Sequence, residues 1–156
     1  MKNEILITER ETMFYPELDK DDSLALHTDL YEINMMYTYF KKGIADRNAV
    51  FEAFYRTEPF GNGYAVYAGL EHIIDYLKNL KFKESDLQYL KEQEGYDDDF
   101  IDYLRNLKLK LTIRSMKEGE LVFANEPILQ VECPLAQCQL VETAILNIIN
   151  FQTLLA

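Results

Sequence analysis

The run from Leu135 to Ala156 limits the fold more than any other stretch. It is apolar over most of a helical circumference, broken only by a narrow polar stripe of Gln139, Glu142, Thr143, Asn147, Asn150 and Thr153. A helix of this kind belongs inside a larger body, with other elements against most of its sides. It carries no stop signal, because neither a glycine cap nor a basic residue precedes its end at Ala156. The expectation is that the chain is the front part of something longer, or that this end is covered by a partner.

A second helix is marked by Leu26–Gly43, LHTDLYEINMMYTYFKKG. Asp29 followed by Glu32 has the spacing of a capping box, in which each side chain bonds a backbone N–H that the first turn leaves free. Leu30, Ile33, Tyr37 and Phe40 recur at helical spacing and form an apolar face. Lys41 and Lys42 suit the negative end of the helix dipole, and Gly43 can take the left-handed conformation that stops the helix. Tyr31 lies off the apolar face and has no packing role.

Between these helices the pattern changes twice. Residues 1–22 are polar and mixed and read as a loosely held arm. Ala49–Arg56 is a strand with Ala49, Phe51, Ala53 and Tyr55 on one face and Glu52 and Arg56 on the other. Residues 58–63, EPFGNG, form a turn without the spacing of a phosphate-binding fingerprint. A short strand at Tyr64–Tyr67 leads to an amphipathic helix through Leu70, Ile73, Ile74, Leu77 and Leu80. Ser85 and Gln88 suggest a capping box for the next helix, and Asp97–Asp99 suit the start of another through Phe100, Ile101, Leu104 and Leu107. From Leu109 the period shortens to two. Strands at Leu109–Arg114, Leu121–Ala124 and Ile128–Cys133, joined by tight turns, are expected to form one small antiparallel sheet or half-barrel that ends at Pro134. The fold class is therefore α+β, divided into the arm 1–22, an N-terminal α/β domain 23–134 and the buried helix 135–156.

With 156 residues the chain supports one domain with a real core. The net charge of −11 makes a nucleic-acid backbone a poor partner, since that contact needs a basic field. No apolar run is long enough to span a membrane, and the N-terminus lacks the pattern of a signal peptide. Cys133 and Cys138 read as reduced, small and buried, separated by a strand end and a helix start. Together these features point to the cytoplasm.

No catalytic set is complete. His27, just before a helix start, and His72, beside an apolar stripe, read as structural; Arg56 and Arg114 read as strand residues in surface ion pairs. The two His and two Cys lack zinc-ligand spacing.

The segments LHTDLYEINMM, AVFEAFYRTEPFGNGYAVYAGLE and TIRSMKEGELVFANEPILQVECPLAQCQLVETAILNIINFQTLLA, in this order and spacing, resemble the N-terminal part of bacterial nicotinate phosphoribosyltransferases, over about Asp22 to Ala156. The resemblance implies the N-terminal α/β domain of a type II phosphoribosyltransferase, helices packed on antiparallel strands, with helix 135–156 leading into an α/β barrel absent from this sequence. It implies conversion of nicotinate and phosphoribosyl pyrophosphate to nicotinate mononucleotide, coupled to ATP hydrolysis, in salvage of NAD. Mg²⁺ and ATP are expected for the intact enzyme, although no motif here holds them. The phosphorylated histidine is expected beyond Ala156, so this stretch alone is expected to be inactive. A homodimer with the active site at its interface is implied, with no membrane or nucleic-acid partner. Tyr31, in Thr-Asp-x-Tyr, matches the tyrosine that stacks on the pyridine ring. Arg56 matches an arginine that contacts pyrophosphate in related nicotinamide enzymes. Asp29 is expected to cap the helix and support Tyr31. The alternative is a non-catalytic module that binds or dimerises with a full-length enzyme.

Overall fold

In the computed structural model, which describes residues 3–6, 24–57, 61 and 63–156, the described residues form eleven elements. They are β1 (Asn3–Leu6), α1 (Leu30–Lys41), β2 (Asn48–Ala53), β3 (Ala65–Val66), α2 (Leu70–Asn79), α3 (Glu84–Gln93), α4 (Asp98–Arg105), β4 (Thr112–Ser115), β5 (Leu121–Val122), β6 (Leu129–Pro134) and α5 (Leu135–Leu155). Most of the expected arm and of the turn at residues 58–63 lies outside the described residues.

An antiparallel sheet of order β1-β4-β6-β2 forms the frame. Along β6 the residues alternate, with Leu129, Val131 and Cys133 buried and Gln130 and Glu132 half-exposed, as expected of a strand with one face on the core. On the outer face Arg114 Nη1 donates to Glu132 Oε2 at 2.9 Å and Asn48 Nδ2 to Glu132 Oε1 at 2.9 Å, tying three neighbouring strands together. Arg114 is thus in the ion pair that its strand position suggests.

The single small sheet read from the sequence is replaced by a different pairing. β5 leaves its neighbours and pairs with β3, Ala65 opposite Val122, in a separate two-stranded sheet. The place beside β6 goes to β2, some 80 positions away in sequence, with Phe51 opposite Val131. Residues 3–6, for which the sequence suggested no strand, pair with β4. Strand partners of this kind are set by tertiary burial, which local periodicity does not contain.

α5 lies against this sheet and also packs on α1 and α2. Its first half is sheathed, with Ala136, Cys138, Leu140, Val141, Ala144 and Ile145 buried. Its last turns expose Phe151 and Leu155. Gly69, before α2, allows α2 and α5 to approach closely. Its φ is +108°, and a Cβ there would come within 3.2 Å of Gln152 Cβ. Glu118, from the turn before β5, caps α2 by accepting from the Gly69 N–H at 2.7 Å.

Three local expectations are corrected. Asp29 is the N-cap residue of α1, but its side chain makes no capping hydrogen bond and Glu32 turns away from the backbone, so the capping box does not form. α3 starts two residues earlier than the Ser85–Gln88 pair requires, and Asp86 Oδ2 accepts from the Lys83 N–H at 2.9 Å instead. Cys133 and Cys138 are joined in a disulfide rather than reduced. β6 passes into α5 without a loop, so the first helical turn brings the two Cα atoms to 5.7 Å. The acidic start of α4 is as expected, with Asp97 Oδ1 accepting from the Phe100 N–H at 3.1 Å.

Candidate functional site

The first turn of α1 meets the second and third turns of α5 through a polar network. Glu32 is completely buried, and its carboxylate accepts from Gln139 Nε2 and from Thr143 Oγ1 at 3.3 Å. Gln139 is itself held on both sides: its Nε2 also donates to Glu142 Oε2 at 3.2 Å and its Oε1 accepts from the Tyr39 hydroxyl at 3.3 Å. Thr143 Oγ1 lies 3.4 Å from Asp29 Oδ2 as well. The helical spacing of Gln139, Glu142 and Thr143 puts all three on the side of α5 that faces α1.

Against this buried network Tyr31 stands outward, with 52% of its surface exposed. Hydrogen bonding to Glu32 is the main reason its hydroxyl is pushed up to about 12, followed by partial burial and the charges of Glu32, Glu142 and Asp29. Glu142 is also raised above the usual carboxylate range, by burial first and then by the charge of Glu32, against the opposing hydrogen bond from Gln139. The site therefore offers an exposed, firmly protonated phenol ring over a group of carboxylates. It can stack on a flat ring, while its phenol proton is already engaged by Glu32.

Farther along α5 two open grooves adjoin each other and share Ala53 and Leu146. The smaller, about 140 Å³, runs past Glu52 and Glu142. The larger, about 280 Å³, lies between Phe54, Tyr55 and Thr57 after β2 and Leu146, Asn150 and Leu154 of α5. Arg56, between Tyr55 and Thr57, is exposed just beyond β2 and lines neither groove. Thr143 and Asn150 are separated by about 10 Å of helix axis at ~1.5 Å per residue, so the larger groove lies beyond the Tyr31 cluster along α5.

Of the residues singled out in the sequence, Asp29 and Tyr31 share the first turn of α1, whereas Arg56 is not part of that cluster. His27 precedes it in a turn, its N–H on the Leu24 carbonyl at 2.9 Å. Glu32 and Gln139 carry the network and were not recognised as partners. The polar stripe on α5 was the visible signal, but what it faces depends on how two distant helices dock.

The family model for the nicotinate phosphoribosyltransferase (NAPRTase) N-terminal domain matches residues 26–150. A nicotinate phosphoribosyltransferase of Bacillus subtilis is 64% identical over 137 residues, which cover 88% of this chain and 28% of that protein. One from Caenorhabditis elegans is 42% identical over 144 residues, covering 89% of this chain and 26% of that protein. Among solved structures, human nicotinic acid phosphoribosyltransferase superimposes with a TM-score of 0.76 at 36% identity, covering 81% of this chain and 26% of that one. A nicotinate-nucleotide pyrophosphorylase from Pyrococcus furiosus has a TM-score of 0.56 at 18% identity over 91% of this chain and 28% of that one, a likeness of fold. The chain thus spans little more than a quarter of the length of these relatives. Helices packed on antiparallel strands in an α+β arrangement, with a match across residues 26–150, make it a member of the nicotinate phosphoribosyltransferase N-terminal domain family.

Proposed function

We propose that this chain is the N-terminal part of an enzyme that joins nicotinate to phosphoribosyl pyrophosphate, in NAD salvage, and that Tyr31 supplies a stacking wall for the pyridine ring. The observation that carries the reading is the exposed Tyr31 ring on a helix turn whose neighbouring residues, Asp29 and Glu32, are both tied to α5. Offset stacking of two aromatic rings contributes roughly 0.5–1.5 kcal/mol beyond burial, enough to orient a small planar acid. Pyrophosphate leaves C1 of the ribose as the pyridine nitrogen attacks. The part played by this chain is to orient the ring and exclude water from one of its faces. Asp29 supports the turn that holds Tyr31. Arg56, an exposed planar donor fork just after β2, is assigned to the phosphate groups.

ATP and Mg²⁺ belong in this reading to the rest of the enzyme. Among the described residues no group of three or more acidic, His or Cys side chains is arranged to hold a metal ion. Glu32, the innermost carboxylate of the cluster, is already engaged by Gln139 and Thr143. The described residues do not fit a metal. The remaining walls of the pocket come from the barrel and from the second subunit of a homodimer. A cytoplasmic setting follows from this metabolic role; the buried Cys133–Cys138 disulfide is the feature that runs against a reducing compartment. Among the described residues no helix is long and apolar enough to cross a membrane.

The test is a chimera in which this chain replaces the matching segment of the Bacillus subtilis relative. It should form nicotinate mononucleotide with ATP-stimulated turnover, while the 156-residue chain alone forms none. A folded chimera without activity, or turnover by the chain alone, contradicts the proposal.

A further inference from the structure

Glu32 is the most deeply buried charged side chain among the described residues, with no exposed surface. Its carboxylate is met by neutral donors, Gln139, Thr143 and the Tyr31 hydroxyl, and by no cation among the described residues. A leucine in this place would fill the space between α1 and α5 without the cost of desolvating a carboxylate. Packing therefore does not account for the residue. What the carboxylate adds is direction. Gln139 and Thr143 hold it from one helical turn of α5, Gln139 is fixed in turn by Tyr39, and Thr143 also reaches Asp29. Asp29, two positions before Tyr31, and Glu32, just after it, thus meet the same piece of α5, while Tyr31 itself is half exposed.

We propose that Glu32 is a positioning residue, whose buried carboxylate, gripped by Gln139 and Thr143, fixes the first turn of α1 and so sets the direction in which the Tyr31 ring faces. Its value for substrate orientation rests on the assignment of Tyr31 to the pyridine ring; the mechanical role does not. An acceptor is needed opposite Gln139, so Glu32→Gln, whose amide oxygen can accept from Gln139 while its amide N–H donates to the Thr143 hydroxyl, preserves the arrangement. Glu32→Ala and Thr143→Val each remove part of the grip. Thr143→Val keeps the side-chain shape and serves where Glu32→Ala does not fold.

The experiment is ¹⁹F NMR on the full chain labelled with 3-fluorotyrosine, with the Tyr31 resonance identified by its loss in Tyr31→Phe. In Glu32→Ala and Thr143→Val the Tyr31 line should narrow and move toward the position of free fluorotyrosine. The lines of Tyr67 and Tyr76, both buried, should stay where they are, and Glu32→Gln should restore most of the parent spectrum. An unchanged Tyr31 line in a folded Glu32→Ala or Thr143→Val chain overturns the proposal. So does equal movement of Tyr67 and Tyr76, which marks a general loss of packing. In the chimera, Glu32→Ala should raise the KM for nicotinate about tenfold with kcat within about twofold. If the Tyr31 line moves while that KM does not, Glu32 still positions Tyr31, and it is the assignment of Tyr31 to the substrate that fails.

Discussion

The two ends of α1 are held by opposite kinds of chemistry. Its C-terminal half docks on the α3–α4 region through aromatic rings. Phe100 has ring centroids 5.1 Å from Tyr37, 5.6 Å from Phe40 and 5.3 Å from Tyr96, with Tyr103 behind it. At the rim Asp97 accepts from Tyr37 at 2.9 Å and pairs with Lys41, so its negative charge has a positive partner. The N-terminal turn docks on α5 through carboxylates and neutral donors, with a phenol ring left outside. The first interface spends apolar area on stability. The second buries a charge at a cost and leaves an aromatic surface uncovered, the arrangement expected where a turn is specified for what it presents.

The largest effect should come from the aromatic end. Phe100→Ala should cost about 3–5 kcal/mol in denaturant unfolding, because a fully buried ring is lost from a packed cluster. Next is Gln139→Ala, which leaves the Glu32 carboxylate short of a donor and should cost about 1–3 kcal/mol by the same measurement. If Gln139→Ala cost as much as Phe100→Ala, the two ends of α1 would not differ in the way described. Smaller still, Lys41→Ala should lower the melting temperature slightly, and less in high salt, as for other exposed pairs.

Acid titration separates the two ends by sign. The carboxyl of Asp97 is held below its ordinary value of 3.8, chiefly by Lys41 and then by the Phe100 N–H. Its contribution to stability is present above 3.8 and is lost as pH falls through the folded value. Glu142 is raised above 4.5 by burial and by Glu32. Its contribution is present below 4.5 and is lost as pH rises through the folded value. Asp97→Asn should therefore be less stable than the parent at neutral pH and converge with it in acid. Glu142→Gln should be more stable at neutral pH and also converge in acid. Melting temperatures between pH 3 and pH 7 measure both, and stability differences of the same sign would contradict the assignment.

The elements that were legible in the sequence are those whose signals are local. The α2 face through Leu70, Ile73 and Leu77, the acidic start of α4 and the strand at β6 each depend on a few neighbouring residues and appear in the fold as read. The elements that were not legible depend on distant partners. Asp29 and Glu32 have capping-box spacing, yet Glu32 finds Gln139, 107 positions away, and the box does not form. β5 has the sequence of a strand beside β6 but pairs with β3. The disulfide depends on the angle at which α5 leaves β6, which the separation of Cys133 and Cys138 does not reveal. At the candidate site the same division holds. Tyr31 was visible as a residue without a packing role, whereas the buried network beneath it appears only when α1 and α5 are docked.

The central claim is that Tyr31 serves a ligand and not the fold. Its most direct test is Tyr31→Ala in the chimera with the Bacillus subtilis relative, with nicotinate affinity and melting temperature measured on the same preparation. Nicotinate affinity should fall about tenfold, as expected for loss of a stacking ring and its burial, with little change in melting temperature. Unchanged affinity with a collapsed melting temperature would make Tyr31 a packing residue and contradict the account.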